Sequence, residues 1–132
     1  MIGLDTNVII RYLTQDDPVQ SAAATDLVEK GLSKENPGFL NQIVLCETVW
    51  VLEDCYGQGR LQVLSVLEQL LRIVELRIEE VEIVRLAVAD YREGKADFSD
   101  NLIARRNQAC GARVTYTFDK KASKEPGFAK LT

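Results

Sequence analysis

The chain begins Met1-Ile2-Gly3-Leu4-Asp5-Thr6-Asn7 and continues Val8-Ile9-Ile10-Arg11-Tyr12-Leu13. The first four residues are apolar and read as a short strand. Asp5-Thr6-Asn7 ends it at once with three residues suited to capping a helix. Residues 8–13 then read as a first short helix. A strand that stops on a carboxylate and turns straight into a helix is the opening of a β–α unit. The rest of the sequence repeats that alternation.

Working outward, Asp16-Asp17-Pro18 is a second helix start, with proline suited to the first helical position. Both acids are read as capping residues, outside any site. Residues 19–32 follow as a helix with Ala22, Ala23, Leu27 and Val28 facing inward. Asn36-Pro37-Gly38 is a turn, and Phe39-Leu40 a brief strand. Residues 43–56 form a largely apolar helix ending at Gly57. Within it Trp50 reads as packing rather than base stacking, and Cys46 and Cys55 as buried filler. Residues 61–73 carry a stripe of Val63, Leu64, Leu67, Leu70 and Leu71 at helical spacing, read as core or dimer interface. Residues 74–78 alternate as a strand. Residues 79–93 read as a helix with three acids in its first turn, where the macrodipole favours them. A helix over 98–110, a strand over 114–118, a turn over 119–123 and a last strand over 128–131 complete the chain. Strands separated by helices predict a parallel α/β sheet, in one domain covering 1–132.

Composition sets the outer limits. The 132 residues are 46% hydrophobic and 27% charged, which argues for a packed globular chain. No apolar run reaches the ~18 residues of a membrane span. The N-terminus lacks the basic start of a secretory signal. These features favour a soluble cytoplasmic protein. Histidine is absent, which excludes His-dependent triads, an imidazole base and His-ligated zinc. The three cysteines contain no CxxC pair and read as reduced thiols. Any catalysis must therefore come from carboxylates, hydroxyls, lysines or a metal. The net charge of −4 is uneven: residues 1–60 carry −5, residues 61–100 carry −4 and residues 101–132 carry +5. The basic last third could contact phosphates, or be a solvated surface.

In an open parallel sheet, ligands bind beyond the carboxyl ends of the strands. Asp5 and Asp119 fall at strand ends, and Asp97 and Asp100 at the start of the 98–110 helix. Glu47 lies in an apolar helical stretch, where a charge needs a partner or solvent. Singly, each acid has a local explanation as a cap, a turn residue or a solvated helix edge. Gathered into one hollow, as expected, they would repel one another, and a hard divalent cation with oxygen ligands would stabilise them. Mg²⁺ or Mn²⁺ on carboxylates points to phosphoryl chemistry.

These residues resemble the PIN-domain family, in particular VapC-type toxins of bacterial toxin–antitoxin pairs. The resemblance rests on Leu4-Asp5-Thr6-Asn7 through Asp16-Asp17-Pro18, Leu45-Cys46-Glu47-Thr48-Val49-Trp50, Ala96-Asp97-Phe98-Ser99-Asp100-Asn101 and Thr117-Phe118-Asp119-Lys120-Lys121, in that order. It implies a three-layer α/β/α fold with a central, mainly parallel sheet, and a ribonuclease using one or two Mg²⁺ or Mn²⁺ ions. The family's acidic quartet would correspond to Asp5, Glu47, Asp100 and Asp119, with Asp97 as an accessory metal ligand. Thr6, Asn7 and Thr117 would be supporting polar residues. Metal-activated water would attack phosphorus in line, with Glu47 or Asp100 orienting it, leaving a 5′-phosphate and a 3′-hydroxyl. Arg105, Arg106, Lys120 and Lys121 are candidates for flanking RNA phosphates. The resemblance also implies a homodimer and a cognate antitoxin.

Three other readings compete: a PIN nuclease that is not a toxin, a non-catalytic RNA-binding module on the same fold, and a phosphotransfer receiver domain. The intact acidic set argues against the second. The lone acid after the first strand argues against the third.

Overall fold

The computed structural model describes residues 1–132. The chain divides into two compact units, Met1–Glu79 and Glu80–Thr132.

In the first unit, strand β1 (Ile2–Gly3) runs into helix α1 (Thr6–Thr14). Asp5 is the cap, in extended conformation, and its side chain accepts from Thr6 N. Helix α2 (Pro18–Asp26) starts on proline, with Asp17 accepting from Val19 N and Gln20 N. It widens into a π-helical turn over Leu27–Gly31. Strand β2 (Gly38–Leu40), helices α3 (Gln42–Asp54) and α4 (Arg60–Arg72) and strand β3 (Leu76–Ile78) follow. β2 is the middle strand and pairs parallel to both neighbours, with Ile2 opposite Gly38 and Phe39 opposite Arg77. Gly38 is required there, because a Cβ would lie 2.8 Å from the side chains of Leu4 and Leu32.

Ile9 and Ile10 of α1, Leu40 of β2, Leu45 and Leu52 of α3, and Val63, Leu67 and Leu70 of α4 are buried together in this unit's core. Full burial of each such side chain contributes about 2 kcal/mol.

In the second unit, helix α5 (Val81–Glu93) packs on helix α6 (Phe98–Ala109). Tyr91 meets Phe98 edge-on at 6.1 Å between ring centres. Val84, Ala87, Val88 and Tyr91 form the buried face of α5. Strand β4 (Thr115–Thr117), a 3₁₀ turn (Ala122–Lys124) and strand β5 (Phe128–Lys130) follow, and β4 and β5 pair in parallel. The chain is thus mixed α/β with six α-helices and only parallel strand pairs, as the alternation predicts. No helix is long and apolar enough to cross a membrane.

Several local expectations are corrected. Ser21, Ala24 and Val28 face inward on the second helical segment, whereas Ala22 and Ala23 are exposed. Alanine is accepted on either face, so the 3–4 spacing decides. Trp50 is 60% exposed: it lies about 140° around α3 from buried Leu45, at 100° per residue. Cys46 is half-buried, and Cys55, just beyond the last turn of α3, is exposed. Of the three acids expected in the first turn of α5, only Glu82 is there. Glu79 instead directly follows β3, its side chain accepting from Gln42 N at 2.9 Å while its own N–H donates to Leu40 O.

Candidate active site

Asp5 sits where β1 becomes α1, and that step fixes one of its oxygens. Oδ1 accepts the backbone N–H of Thr6 at 2.8 Å, which is the capping reading. Oδ2 has no protein partner, and the residue is exposed. Thr6 itself is 9% exposed, and its Oγ1 donates to Glu47 Oε1 at 2.8 Å. One threonine therefore holds two acids that are 42 positions apart in sequence. Glu47 faces solvent on α3, so the expected cost of a buried charge does not arise, and Oε2 is left unbonded. Asn7 is exposed and lines a hollow of about 360 Å³ with Arg11, Gln20, Ala23 and Leu27 among its walls.

Asp17 alone performs the capping expected of Asp16 and Asp17. Asp16 accepts from the Tyr56 hydroxyl at 2.6 Å, from Thr14 Oγ1 at 2.9 Å and from Arg11 at 3.3 Å. The Tyr56 hydrogen bond is the main cause that lowers its carboxyl pKa, followed by Thr14. Sequence reasoning missed this Arg11–Tyr56–Asp16 network. Its only trace is an arginine and a tyrosine of unassigned role near the ends of α1 and α3.

In the second unit, Asp97 occupies the cap position of α6, yet its carboxylate makes no capping hydrogen bond. The local explanation for this acid therefore fails. Asp100 lies in the first turn of the same helix. Burial raises its pKa, and the neighbouring charges of Asp97 and Asp119 raise it further. The charges of Asp97 and Asp119 thus reach the Asp100 carboxyl. Asn101, 2% exposed, donates through Nδ2 to the carbonyls of Ala96 (3.3 Å) and Asp97 (3.2 Å) and fixes the backbone ahead of them. Its signal was a polar residue beside buried Leu102, which sequence reasoning passed over.

Asp119 follows β4 and its Oδ1 accepts the backbone N–H groups of Lys121 (2.7 Å) and Ala122 (2.9 Å). Its own N–H donates to Thr117 Oγ1 at 3.0 Å, so Thr117 supports the acid through the backbone. Among the basic candidates, Arg105 is already engaged. Its guanidinium forks onto Asp90 at 2.6 and 2.9 Å, a bidentate pair between α6 and α5 that raises its pKa. Arg105, a candidate for a flanking phosphate, thus already spends its guanidinium on a structural pair. Arg106, Lys120 and Lys121 are exposed.

Neither unit contains a group of three or more Asp, Glu or Cys side chains arranged to hold a metal ion. The donor chemistry of the acids nonetheless fits a hard cation. They offer only carboxylate oxygens; Asp5 and Glu47 each keep one oxygen unbonded, and the Asp97 carboxylate makes no capping bond.

No curated protein matches the chain. The family model of the PIN domain matches residues 2–126, and so runs through both units and all five acids. The PIN fold is a nuclease fold. The chain belongs to the PIN-domain family.

Proposed function

We propose that this chain is a Mg²⁺- or Mn²⁺-dependent endoribonuclease and the toxin of a type II toxin–antitoxin pair. The observation that carries the reading is the pairing of Asp5 and Glu47 through Thr6, in a chain whose PIN match covers residues 2–126. A threonine that spends its amide on one carboxylate and its hydroxyl on another leaves both with an oxygen for a ligand.

Asp5 and Glu47 in the first unit, and Asp97, Asp100 and Asp119 in the second, are the carboxylates that would ligate Mg²⁺ or Mn²⁺. When bound, Mg²⁺ or Mn²⁺ lowers the pKa of water and offsets charge on the scissile phosphate. The chain's own groups do the positioning. Thr6 sets the rotamer of Glu47 and the plane of the Asp5 carboxylate. The turn at 119–122 fixes Asp119. Asn101 holds the backbone of Asp97. Either Glu47 Oε2 or the Asp100 carboxylate would orient the attacking water or take its proton. The products are a 5′-phosphate and a 3′-hydroxyl.

The toxin role brings with it a cognate antitoxin, a homodimer and a cytoplasmic setting. An antitoxin arginine paired with these carboxylates would compete with cation and RNA. The test is cleavage of a labelled RNA panel after EDTA treatment and Mn²⁺ titration, with expression of the same variants in growing cells. The wild-type chain should cut and arrest growth, and Asp5→Asn and Asp119→Asn should do neither. Cutting that survives EDTA, or that either substitution leaves unchanged, contradicts the nuclease. Cutting without growth arrest leaves a PIN nuclease that is not a toxin.

A further inference from the structure

Lys95, Lys120, Lys121 and Lys124 surround a small hollow of about 150 Å³ in the second unit, with Glu125 as its one acid. Lys120, Lys121 and Lys124 come from the segment just after Asp119, and Lys95 from the loop just before Asp97. The hollow is therefore bounded on both sides by segments that carry candidate acids.

Glu125 explains how the hollow is built. Its Oε1 accepts the backbone N–H groups of Lys95 at 2.6 Å and Ala96 at 3.3 Å, and so straps the 94–96 loop to the 3₁₀ turn. Gly94 permits this, since a Cβ there would overlap the Glu125 carboxylate. Four lysines and one glutamate line the hollow, and that glutamate spends its Oε1 on backbone N–H groups. These four lysines line one concavity, where their summed charge would draw an anion.

We infer that this hollow is a seat for one backbone phosphate of the RNA, next to the phosphate that is cut. The inference rests on the nuclease reading for the identity of the ligand. The lysine ammoniums hold the phosphate, and Glu125 keeps Lys95 and the loop in place. It adds Lys95 and Lys124 to the RNA-binding residues, and leaves Arg105 out because Asp90 already engages it.

The experiment is binding of a fluorescent single-stranded RNA to the full chain in EDTA, where no cutting occurs, across a range of salt. The variants are Lys95→Gln/Lys124→Gln and, as a control of equal chemistry elsewhere in the basic third, Lys130→Gln. Each cation lost from a single-strand contact should lower the slope of log affinity against log salt by about 0.7. The double variant should therefore lose about 1.4 in slope, and Lys130→Gln should lose little. An unchanged slope in the double variant overturns the seat, even if Mn²⁺-dependent cutting is intact. A reduced slope sustains the seat as a nucleic-acid contact, even if no RNA is ever cut. Inorganic phosphate binding that the double variant abolishes, with an unchanged RNA slope, assigns the hollow to free phosphate and overturns the RNA assignment.

Discussion

Thr6 Oγ1 donates a 2.8 Å hydrogen bond to Glu47 Oε1, while the Thr6 amide donates at the same distance to Asp5 Oδ1. A buried threonine at the first turn of α1 is thus the joint between an acid at a strand end and an acid on α3. Thr6→Val keeps the backbone bond and the shape but removes the hydroxyl. Partners that orient metal ligands typically matter by about 10- to 100-fold in affinity or activity. The expected outcome is a loss of that size in Mn²⁺-stimulated cleavage, restored by Thr6→Ser, with about 1 kcal/mol lost from stability in urea titration. Full activity in Thr6→Val would mean that Glu47 needs no such support.

Asp100 has its pKa raised by burial and by the charges of Asp97 and Asp119. The folded chain therefore binds this proton more tightly than the unfolded chain. Stability falls as pH rises from the ordinary value of 3.8 through the raised folded value. Asp100→Asn removes the ionisation. It should raise the melting temperature at pH 7, with the gain shrinking below pH ~4, and it should abolish cleavage. A variant that melts lower than wild type at pH 7 would show that Asp100 stabilises the fold instead.

Asp16 titrates in the opposite sense. Hydrogen bonds from Tyr56 and Thr14, in that order, hold its pKa below 3.8. Its contribution to stability is present above that ordinary value and is lost as pH falls through the lowered one. Tyr56→Phe should return the Asp16 carboxyl towards 3.8, read by carboxyl carbon chemical shifts against pH. An unchanged titration would show that Thr14 and Arg11 carry the shift.

Arg105 joins α6 to α5 through its two bonds to Asp90. Arg105→Ala should lower stability by about 1 kcal/mol or less, since the pair is partly solvated. It should leave the salt dependence of RNA binding nearly unaltered. A loss of slope as large as that of a free lysine would place Arg105 on the RNA after all.

The local parts of this fold are legible in the sequence because their causes are local. Asp5 before Thr6, and Asp17 before Pro18, each declare a helix start within three residues, and the structure has both caps. Asp5, Asp97, Asp100 and Asp119 stand out for the same reason, as carboxylates at or near element ends, whereas Glu47 stands out as a charge within an apolar helix. What stays hidden is decided by distant neighbours. Nothing near Thr6 names Glu47, and nothing near Arg105 names Asp90. Trp50 looks like core because α3 is apolar on both faces, and only packing selects the Leu45–Leu52 face. Asp97 reads as a cap by position, and only the structure shows its carboxylate uncommitted.

The most direct measurement is Mn²⁺ binding to the purified chain by electron paramagnetic resonance, without RNA. The wild-type chain should take up one or two ions, and Asp5→Asn and Asp100→Asn, one substitution in each unit, should each weaken that uptake. Absence of bound Mn²⁺ at millimolar concentration, or uptake that neither substitution changes, would contradict the assignment of these carboxylates to a metal.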